Sequence, residues 1–319
     1  MADAGASGTN GSTEPDTLDW LLAGDVSVQF RTFRDLLHQE RPDLQARIAE
    51  EGDGATLLAA RGPNGHWGRG FYQPKWTSSH YTLLELKNLG LAPTTNAARE
   101  TVELILTREK GRDGGLDPNE TAKHSDVCIN GMALNYSSYF GADHTDLTSI
   151  VDFLLEQKMA DGGFNCRFNT TGATHSSVHT TVSVLEGITE YCRNGYMYRH
   201  GELASAAHTS IEFLLRHHLY RSERSGAPIS PEFTRLHFPA RWHFDVLRGL
   251  DALADADVAH DERMDDALRL LRRRRRQDGR WVGHRAYPGA THLPPTPAGR
   301  PDRWITLLAS RVLRIYQDF

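Results

Sequence analysis

The sequence predicts an all-α protein whose helical hairpins, five or six in number, close into a ring. A glycine-containing turn recurs at intervals of about 50 residues, and a new helix starts about 10–20 residues after each turn. No segment shows the sustained alternation of apolar and polar residues that is typical of a strand. An open solenoid is the competing arrangement, although solenoid repeats are usually shorter and more uniform.

The turns define the repeat. Each follows a helical apolar stretch and is followed by leucine or an aromatic residue. The clear copies contain Gly65, Gly114, Gly162 and Gly279, and a degraded copy lies at residues 221–226. The longest interval, from Gly162 to Gly279, has room for two units, so we expect outer and inner helices to alternate along the whole chain.

The helix that follows each turn begins with aromatic, histidine or acidic residues and continues with apolar residues at helical spacing. In a closed ring, these starts would present their side chains to one central cavity. They contain Trp76, His80, Tyr81, Asp126, Cys128, His175, His179, Arg241, Trp242, His243, Asp245, Arg303 and Trp304. Residues 20–38 are predicted to form one further amphipathic helix.

The composition is that of a globular protein, with 319 residues, 39% hydrophobic and 24% charged. We expect a disordered polar tail at residues 1–16 and a single domain at 17–319. The tail has no signal-peptide pattern, no apolar run is long enough to cross a membrane, and three cysteines do not make a closed disulfide framework. A cytoplasmic location is therefore expected. The net charge of -5 argues against general nucleic-acid binding.

Two of the turns carry a resemblance to a known superfamily. Gln277-Asp278-Gly279-Arg280-Trp281 and Asp161-Gly162-Gly163-Phe164 resemble the glutamine–tryptophan and Gly-Gly-Phe repeats of the terpenoid cyclases and protein prenyltransferases. The resemblance covers roughly residues 19–319 and implies an α/α toroid. The Asp-x-Asp-Asp acid motif of the class II cyclases is absent from this sequence, so the resemblance does not extend to carbocation cyclisation.

A more specific resemblance is to the β subunit of the protein prenyltransferases, whose zinc is held by Asp-x-Cys at one inner helix start and His at the next. Asp126-Val127-Cys128 and His179 match that pattern, which implies a Zn²⁺ site. Aspartate, cysteine and histidine are all zinc ligands, and three protein ligands leave a fourth position open for catalysis. Taken singly, Cys128 and His179 are more typical of core positions, and it is their phase in the repeat that favours the zinc site. His175 is an alternative ligand or a supporting group.

The diphosphate site of that family is matched only in part. Lys123 stands where the family has a diphosphate-binding lysine, but Glu120, Ile129 and Met132 replace its arginine, tyrosine and tryptophan. A glutamate in place of an arginine repels a diphosphate. The substrate contacts that we predict are Trp76, Tyr81, Lys123, His175, Arg241, Trp242, Arg303 and Trp304, and the acid–base candidates are His80, His243 and Asp245.

The sequence thus predicts a zinc-dependent enzyme that acts on a small apolar or isoprenoid-like substrate, with zinc–thiolate alkyl transfer as the reaction that the resemblance implies. A zinc-assisted lyase, hydrolase or cyclase is the alternative. Two other hypotheses are a non-catalytic ring that binds a lipid or terpenoid, and a cyclase-like, metal-free enzyme that uses Asp245 or another carboxylic acid. No obligatory partner subunit is expected. Residues 288–301 form either a lid or a surface connection, and Cys166 and Cys192 are given no role.

Overall fold

The computed structural model describes residues 13–118, 124–167 and 171–317, and every longer regular element in these ranges is a helix. Short 3-10 helices and three isolated bridges supplement them. The helices are α1 Thr13–Leu22, α2 Val26–Leu36, α3 Pro42–Arg47, α4 Gly52–Ala59, α5 Ser79–Leu89, α6 Asn96–Arg108, α7 Val127–Tyr139, α8 His144–Glu156, α9 Val178–Arg193, α10 His200–Arg216, α11 Val246–Asp255, α12 Asp265–Arg273 and α13 Arg303–Ile315.

Six of these helices form a closed inner ring. In order around the ring they are α2, α5, α7, α9, α11 and α13; each contacts the next, and α13 contacts α2. The intervening helices α4, α6, α8, α10 and α12 expose one face and form the outer layer. The predicted all-α ring of hairpins is confirmed, and the open solenoid is excluded because the ring closes.

The recurring turns are built alike. Gly65, Gly114, Gly162 and Gly279 have φ values of 82°, 85°, 99° and 77°, a region that glycine enters without steric cost. The residue that ends each turn is fully or almost fully buried, and its backbone N–H donates to a side-chain oxygen of the next inner helix. These pairs are Trp67 with Ser79, Leu116 with Asn130, Phe164 with Thr181 and Trp281 with Thr306. Each turn therefore anchors an inner helix near its start.

The N-terminal region differs from the prediction. The helix expected at residues 20–38 is two helices, because Asp25 caps α2 by accepting a hydrogen bond from the N–H of Ser27 at 2.8 Å. The second of the two completes the inner ring. Helix α1 begins at Thr13, so residues 13–16, expected in the tail, are helical; residues 1–12 lie outside the described residues.

The inner helices run in the same direction, which gives the ring two distinct ends. At the end where they finish, Lys87 of α5 contacts Glu190 of α9, and Arg193 of α9 donates to the backbone of Asp255 in α11. At the end where they start, the backbone N–H of Phe244, just before α11, donates to His179 of α9. The first end is called the C-terminal end of the ring below, and the second the N-terminal end.

Candidate functional site

The N-terminal end of the ring is filled by aromatic rings that contact one another. We call this group the aromatic cluster, and it consists of Trp76, Tyr81, His179, Trp242, His243 and Tyr287. His243 is stacked between Trp242 and Tyr287, with ring centroids 3.8 Å and 3.6 Å apart. The sequence predicted that five of these six residues would face a common cavity, and the structure brings those five together.

The histidines of the cluster are neutral at physiological pH. Burial lowers the pKa of His179 to about 4, and burial together with the neighbouring His179 lowers the pKa of His243 to about 3. Burial also lowers the pKa of His80 to about 3. His80 is fully buried and its Nδ1 lies 3.4 Å from the hydroxyl of Tyr136, so it occupies a core position rather than the acid–base position predicted for it.

Zinc requires donor atoms about 3–4 Å apart, since each lies about 2 Å from the ion. The predicted ligands Asp126, Cys128 and His179, all within the described residues, do not form a group whose donor atoms lie within 4.8 Å of one another. The Nδ1 atom of His179 also accepts the N–H of Phe244 at 2.8 Å. As placed, the three side chains do not fit a tetrahedral zinc ion. The zinc site therefore stays a prediction.

Cys128 is instead paired with another cysteine, Cys166. The backbone N–H of Cys128, in the first turn of α7, donates to Sγ of Cys166 at 3.0 Å, and the hydroxyl of Thr180 lies 3.5 Å from the same sulfur. The hydrogen bond between the two thiols lowers the pKa of Cys166 and raises that of Cys128. Cys166 was given no role from the sequence, and its place directly after the Gly-Gly-Phe turn was the only available signal.

Arg241 and Asp245 are fixed by buried structural contacts. Arg241 forms a buried ion pair with Glu85 at 2.9 Å, and its guanidinium lies 5.5 Å from the ring centroid of Trp76. Asp245 caps α11: Oδ1 accepts from the backbone N–H groups of Leu247 and Arg248, and Oδ2 from that of His237. Both carboxylate oxygens thus accept hydrogen bonds from backbone N–H groups, so Asp245 has a capping role in contrast to the acid–base role predicted for it.

The remaining predicted residues are not part of the aromatic cluster, although Trp304 lines a small cavity together with Trp76 and Tyr287. Arg303 donates to the backbone carbonyl of Trp20 and lies over its ring, and His175 is exposed. Trp304 stacks on Phe238 with the centroids 4.8 Å apart. Lys123 and Glu120 lie outside the described residues, whereas Ile129 and Met132 are fully buried in α7.

The C-terminal half of the ring encloses a polar cavity of about 460 Å³. All six inner helices line it, and most of the lining side chains are charged or hydrogen-bonding. They include Arg31, Lys87, Asn135, Glu186, Arg248, Asp251 and Arg311. This polar cavity differs from the expected apolar, aromatic-lined pocket. A smaller cavity of about 120 Å³, beside the aromatic cluster, has Trp76, Tyr287 and Trp304 in its lining.

The acidic centre of the polar cavity is a pair of carboxylates one turn apart on α11. Arg311 of α13 bridges them, with Nη1 at 2.5 Å from Asp251 and Nη2 at 2.6 Å from Asp255. Burial raises the pKa of Asp251 to about 6, with Arg311 opposing the shift and Asp255 adding to it. Burial acts on Asp255 in the same direction, but Arg311 and Arg193 outweigh it and lower its pKa. Two adjacent carboxyl groups therefore have opposed pKa shifts.

A segment of chain separates the polar cavity from the aromatic cluster. Residues 237–241 contribute to the cavity wall, while the ring of His237 stacks on Tyr287 of the cluster at 4.5 Å. A second segment, which begins at Pro288, contacts the residues just before α5. The carbonyl of Pro288 accepts a hydrogen bond from Nε1 of Trp76 at 2.7 Å, and Nε2 of His292 lies 3.1 Å from the carbonyl of Thr77. The loop at 288–301 is thus attached to the N-terminal end of the ring.

Comparison with known proteins bears on the fold. No family model matches the chain, and no curated protein matches it. Among solved structures, a polysaccharide lyase aligns with a TM-score of 0.51 at 10% identity, covering 96% of this chain and 98% of the other. A family 88 glycosyl hydrolase from Bacteroides vulgatus aligns with a TM-score of 0.50 at 12% identity, covering 91% and 90%.

The chain is an α/α toroid. A type II terpene cyclase from Scytonema also aligns, at 15% identity over 87% of this chain and 99% of the other, but its TM-score of 0.37 is too low to bear on fold or function. Within the part of the toroid that the structure describes, no helix combines the length and the apolar character needed to span a bilayer.

Proposed function

We propose that this toroid is an enzyme that cleaves a polar small molecule, such as an oligosaccharide carrying carboxylate groups, by general acid–base catalysis in the polar cavity. The observation that carries the proposal is the carboxyl pair of Asp251 and Asp255, whose pKa values are shifted in opposite directions. Opposed shifts of neighbouring carboxyl groups are the pattern by which lyases and hydrolases separate a proton donor from a base.

The proposed roles follow from the pKa shifts. Asp251, with a pKa of about 6, retains a proton in weakly acidic solution and donates it to the leaving group. Asp255 is ionised over the same range and accepts a proton from the substrate or from water. Arg311 contacts both carboxyl groups and holds them in place. General acid–base groups of this kind contribute rate factors of about 10²–10⁴.

The lining of the cavity supports a polar substrate. Arginine binds carboxylates through paired hydrogen bonds, and Arg34, Arg193 and Arg248 lie in the wall together with Asn135. Arg248 is itself paired with Glu186 at 2.7 Å, so a substrate must compete for it or contact the pair as a unit. The two toroids with comparable folds are named as a polysaccharide lyase and a glycosyl hydrolase, which agrees with this substrate class.

The test is a panel of uronate-containing and neutral oligosaccharides, offered beside isoprenoid diphosphates and alcohols. Binding is measured by thermal shift, and turnover by chromatography of the products. We expect oligosaccharide cleavage that declines as the pH rises through about 6, where Asp251 loses its proton. Asp251→Asn should lower the rate about 10²–10⁴-fold.

Asp257→Asn is the matched control. Asp257 is exposed, lies just past α11 and has a φ of 53°, a conformation that asparagine tolerates. Its rate should equal that of the wild type. Stabilisation by the isoprenoids alone, or full activity of Asp251→Asn, would contradict the proposal.

The zinc–thiolate transfer predicted from the sequence remains a separate hypothesis, as does the ring that only binds a lipid. The first requires zinc that is lost from Cys128→Ala and His179→Ala proteins, which mass spectrometry of the metal content measures. The second requires saturable lipid binding without turnover of any member of the panel.

A further inference from the structure

We propose that Glu232, His237 and His284 form a binding site for a divalent transition-metal ion. A donor atom from each of the three lies within 4.8 Å of the other two. Among the described residues, no other group of three histidine, cysteine or carboxylate side chains has donor atoms that lie this close together. It lies on the loops beside α11, apart from Asp126, Cys128 and His179.

His237 is oriented for this role by its neighbours. Its side chain is only 3% exposed, and Nδ1 lies 3.3 Å from the hydroxyl of Tyr287 and 3.7 Å from Oδ2 of Asp245. Because Nδ1 faces these oxygens, Nε2 is the nitrogen left for an ion. A metal-binding histidine is commonly held in this way, with its other ring nitrogen directed at a carboxylate or another oxygen.

The other two ligands are exposed and lie on segments that the backbone fixes close to His237. The N–H of His284 donates to the carbonyl of Leu236 at 2.8 Å, which places the two histidines on adjacent segments. Glu232 belongs to the short 3-10 helix Pro231–Thr234, and its N–H donates to the hydroxyl of Ser230 at 3.2 Å. An ion therefore reaches the site directly from solvent.

One competing contact must be displaced or bypassed. Arg235 hydrogen-bonds to Oε1 of Glu232. Both side chains are at least 40% exposed, and exposed ion pairs of this kind contribute little free energy. Oε2 is the oxygen outside that contact. Rotation of the two exposed side chains brings the donor atoms from their present separation to the roughly 3 Å spacing that surrounds a bound ion.

The ligand set determines the kind of ion. Two imidazoles and one carboxylate suit Zn²⁺, Fe²⁺, Co²⁺ or Ni²⁺, whereas Ca²⁺ and Mg²⁺ prefer oxygen ligands throughout. Three protein ligands leave positions open for water or a further ligand. A bound ion would connect the segment at 231–237 to the segment at 282–287, next to the chain that separates the aromatic cluster from the polar cavity.

The experiment titrates the full-length protein, stripped of metal, with Zn²⁺ in a calorimeter and with Co²⁺ in an absorption spectrometer. We expect about one ion per chain and a cobalt spectrum without a thiolate charge-transfer band. Glu232→Gln and His284→Ala should each weaken metal binding by more than 10–100-fold, which is the loss typical of substituting a residue that only orients a ligand. Both residues are exposed, so these variants should fold, which circular dichroism verifies.

Two matched controls define the site. His144→Ala removes an exposed histidine elsewhere, and Cys128→Ala removes a ligand of the zinc site predicted from the sequence; both should bind as the wild type does. The proposal is overturned by the absence of binding, or by unchanged affinity in Glu232→Gln and His284→Ala. It is also overturned if Cys128→Ala abolishes binding and a thiolate band is present, since the ion would then occupy the other set.

Discussion

At the scale of single residues, the buried histidines make stability depend on pH. The folded-state pKa values of His179 and His243, about 4 and about 3, lie below the roughly 6.5 of an unfolded chain. Below pH 6.5 the unfolded state binds more protons than the folded state, so this contribution is present above pH 6.5 and is lost as the pH falls from 6.5 to the folded-state pKa values of about 4 and about 3. His243→Phe keeps a ring between Trp242 and Tyr287 and should reduce the loss of stability on acidification.

Urea midpoints at about pH 7.5 and about pH 5 measure this effect. The difference between the two midpoints should be smaller in His243→Phe than in the wild type. His144→Phe, a change at an exposed histidine, should leave the difference as it is in the wild type. An equal difference in all three proteins would show that His243 is not held neutral by the fold.

The predictability of individual site residues depended on their position in the repeat. Trp76, His179 and Trp242 were predicted because each lies at a helix start that recurs in phase with the turns. Asp251 and Arg311 were missed because charged residues late in a helix have the same pattern as a solvated face. Their burial depends on ring closure, which brings α11 and α13 together around the cavity.

At the scale of elements, the closest contact in the ring is between α7 and α9. A Cβ added to Gly131 would lie 2.8 Å from the carbonyl oxygen of Ser183, and one added to Gly187 would lie 2.3 Å from the carbonyl oxygen of Gly131. Both obstacles are backbone atoms, which move only if the helices separate. We expect Gly131→Ala and Gly187→Ala each to destabilise the fold by about 1–3 kcal/mol, which outweighs alanine's helix-propensity gain of up to ~1 kcal/mol.

Thermal and urea unfolding of the alanine variants measure this cost. Gly201→Ala in α10 is the matched control, since a Cβ there meets no atom within 4 Å. Its stability should equal or slightly exceed that of the wild type. Stabilisation by Gly187→Ala would mean that α7 and α9 do not approach as closely as described.

The elements themselves were largely predictable because the glycine turns repeat. Turns at Gly65, Gly114 and Gly279 fixed where inner helices begin, and the structure confirms each turn. The break between α1 and α2 was missed because both helices are amphipathic with a continuous apolar pattern across the junction. Asp25, which caps the second helix, was the local signal for that break.

At the scale of the whole molecule, two clusters of buried apolar residues lie around the ring and share helices. Helix α9 contributes Val184 to one cluster and Val182 to the other, and α13 contributes Leu307 to one and Ile305 to the other. Loss of either cluster therefore removes packing from a helix that the other cluster needs. Because the inner ring is closed, it also has no terminal unit that can unfold alone, as the end repeats of a solenoid do.

The chain should consequently unfold in one cooperative transition, despite being longer than most two-state proteins. Far-UV circular dichroism reports all helices, whereas tryptophan fluorescence reports mainly the buried Trp67, Trp76, Trp281 and Trp304, which are distributed between the two clusters. The urea transitions from the two probes should superimpose. Leu307→Ala and Ile305→Ala each shorten a side chain of α13 that packs in a different cluster. In each variant, the urea midpoint measured by fluorescence should change by the same amount as the midpoint measured by circular dichroism. A fluorescence transition that precedes the loss of helix would show that the two clusters unfold separately and that ring closure does not couple them.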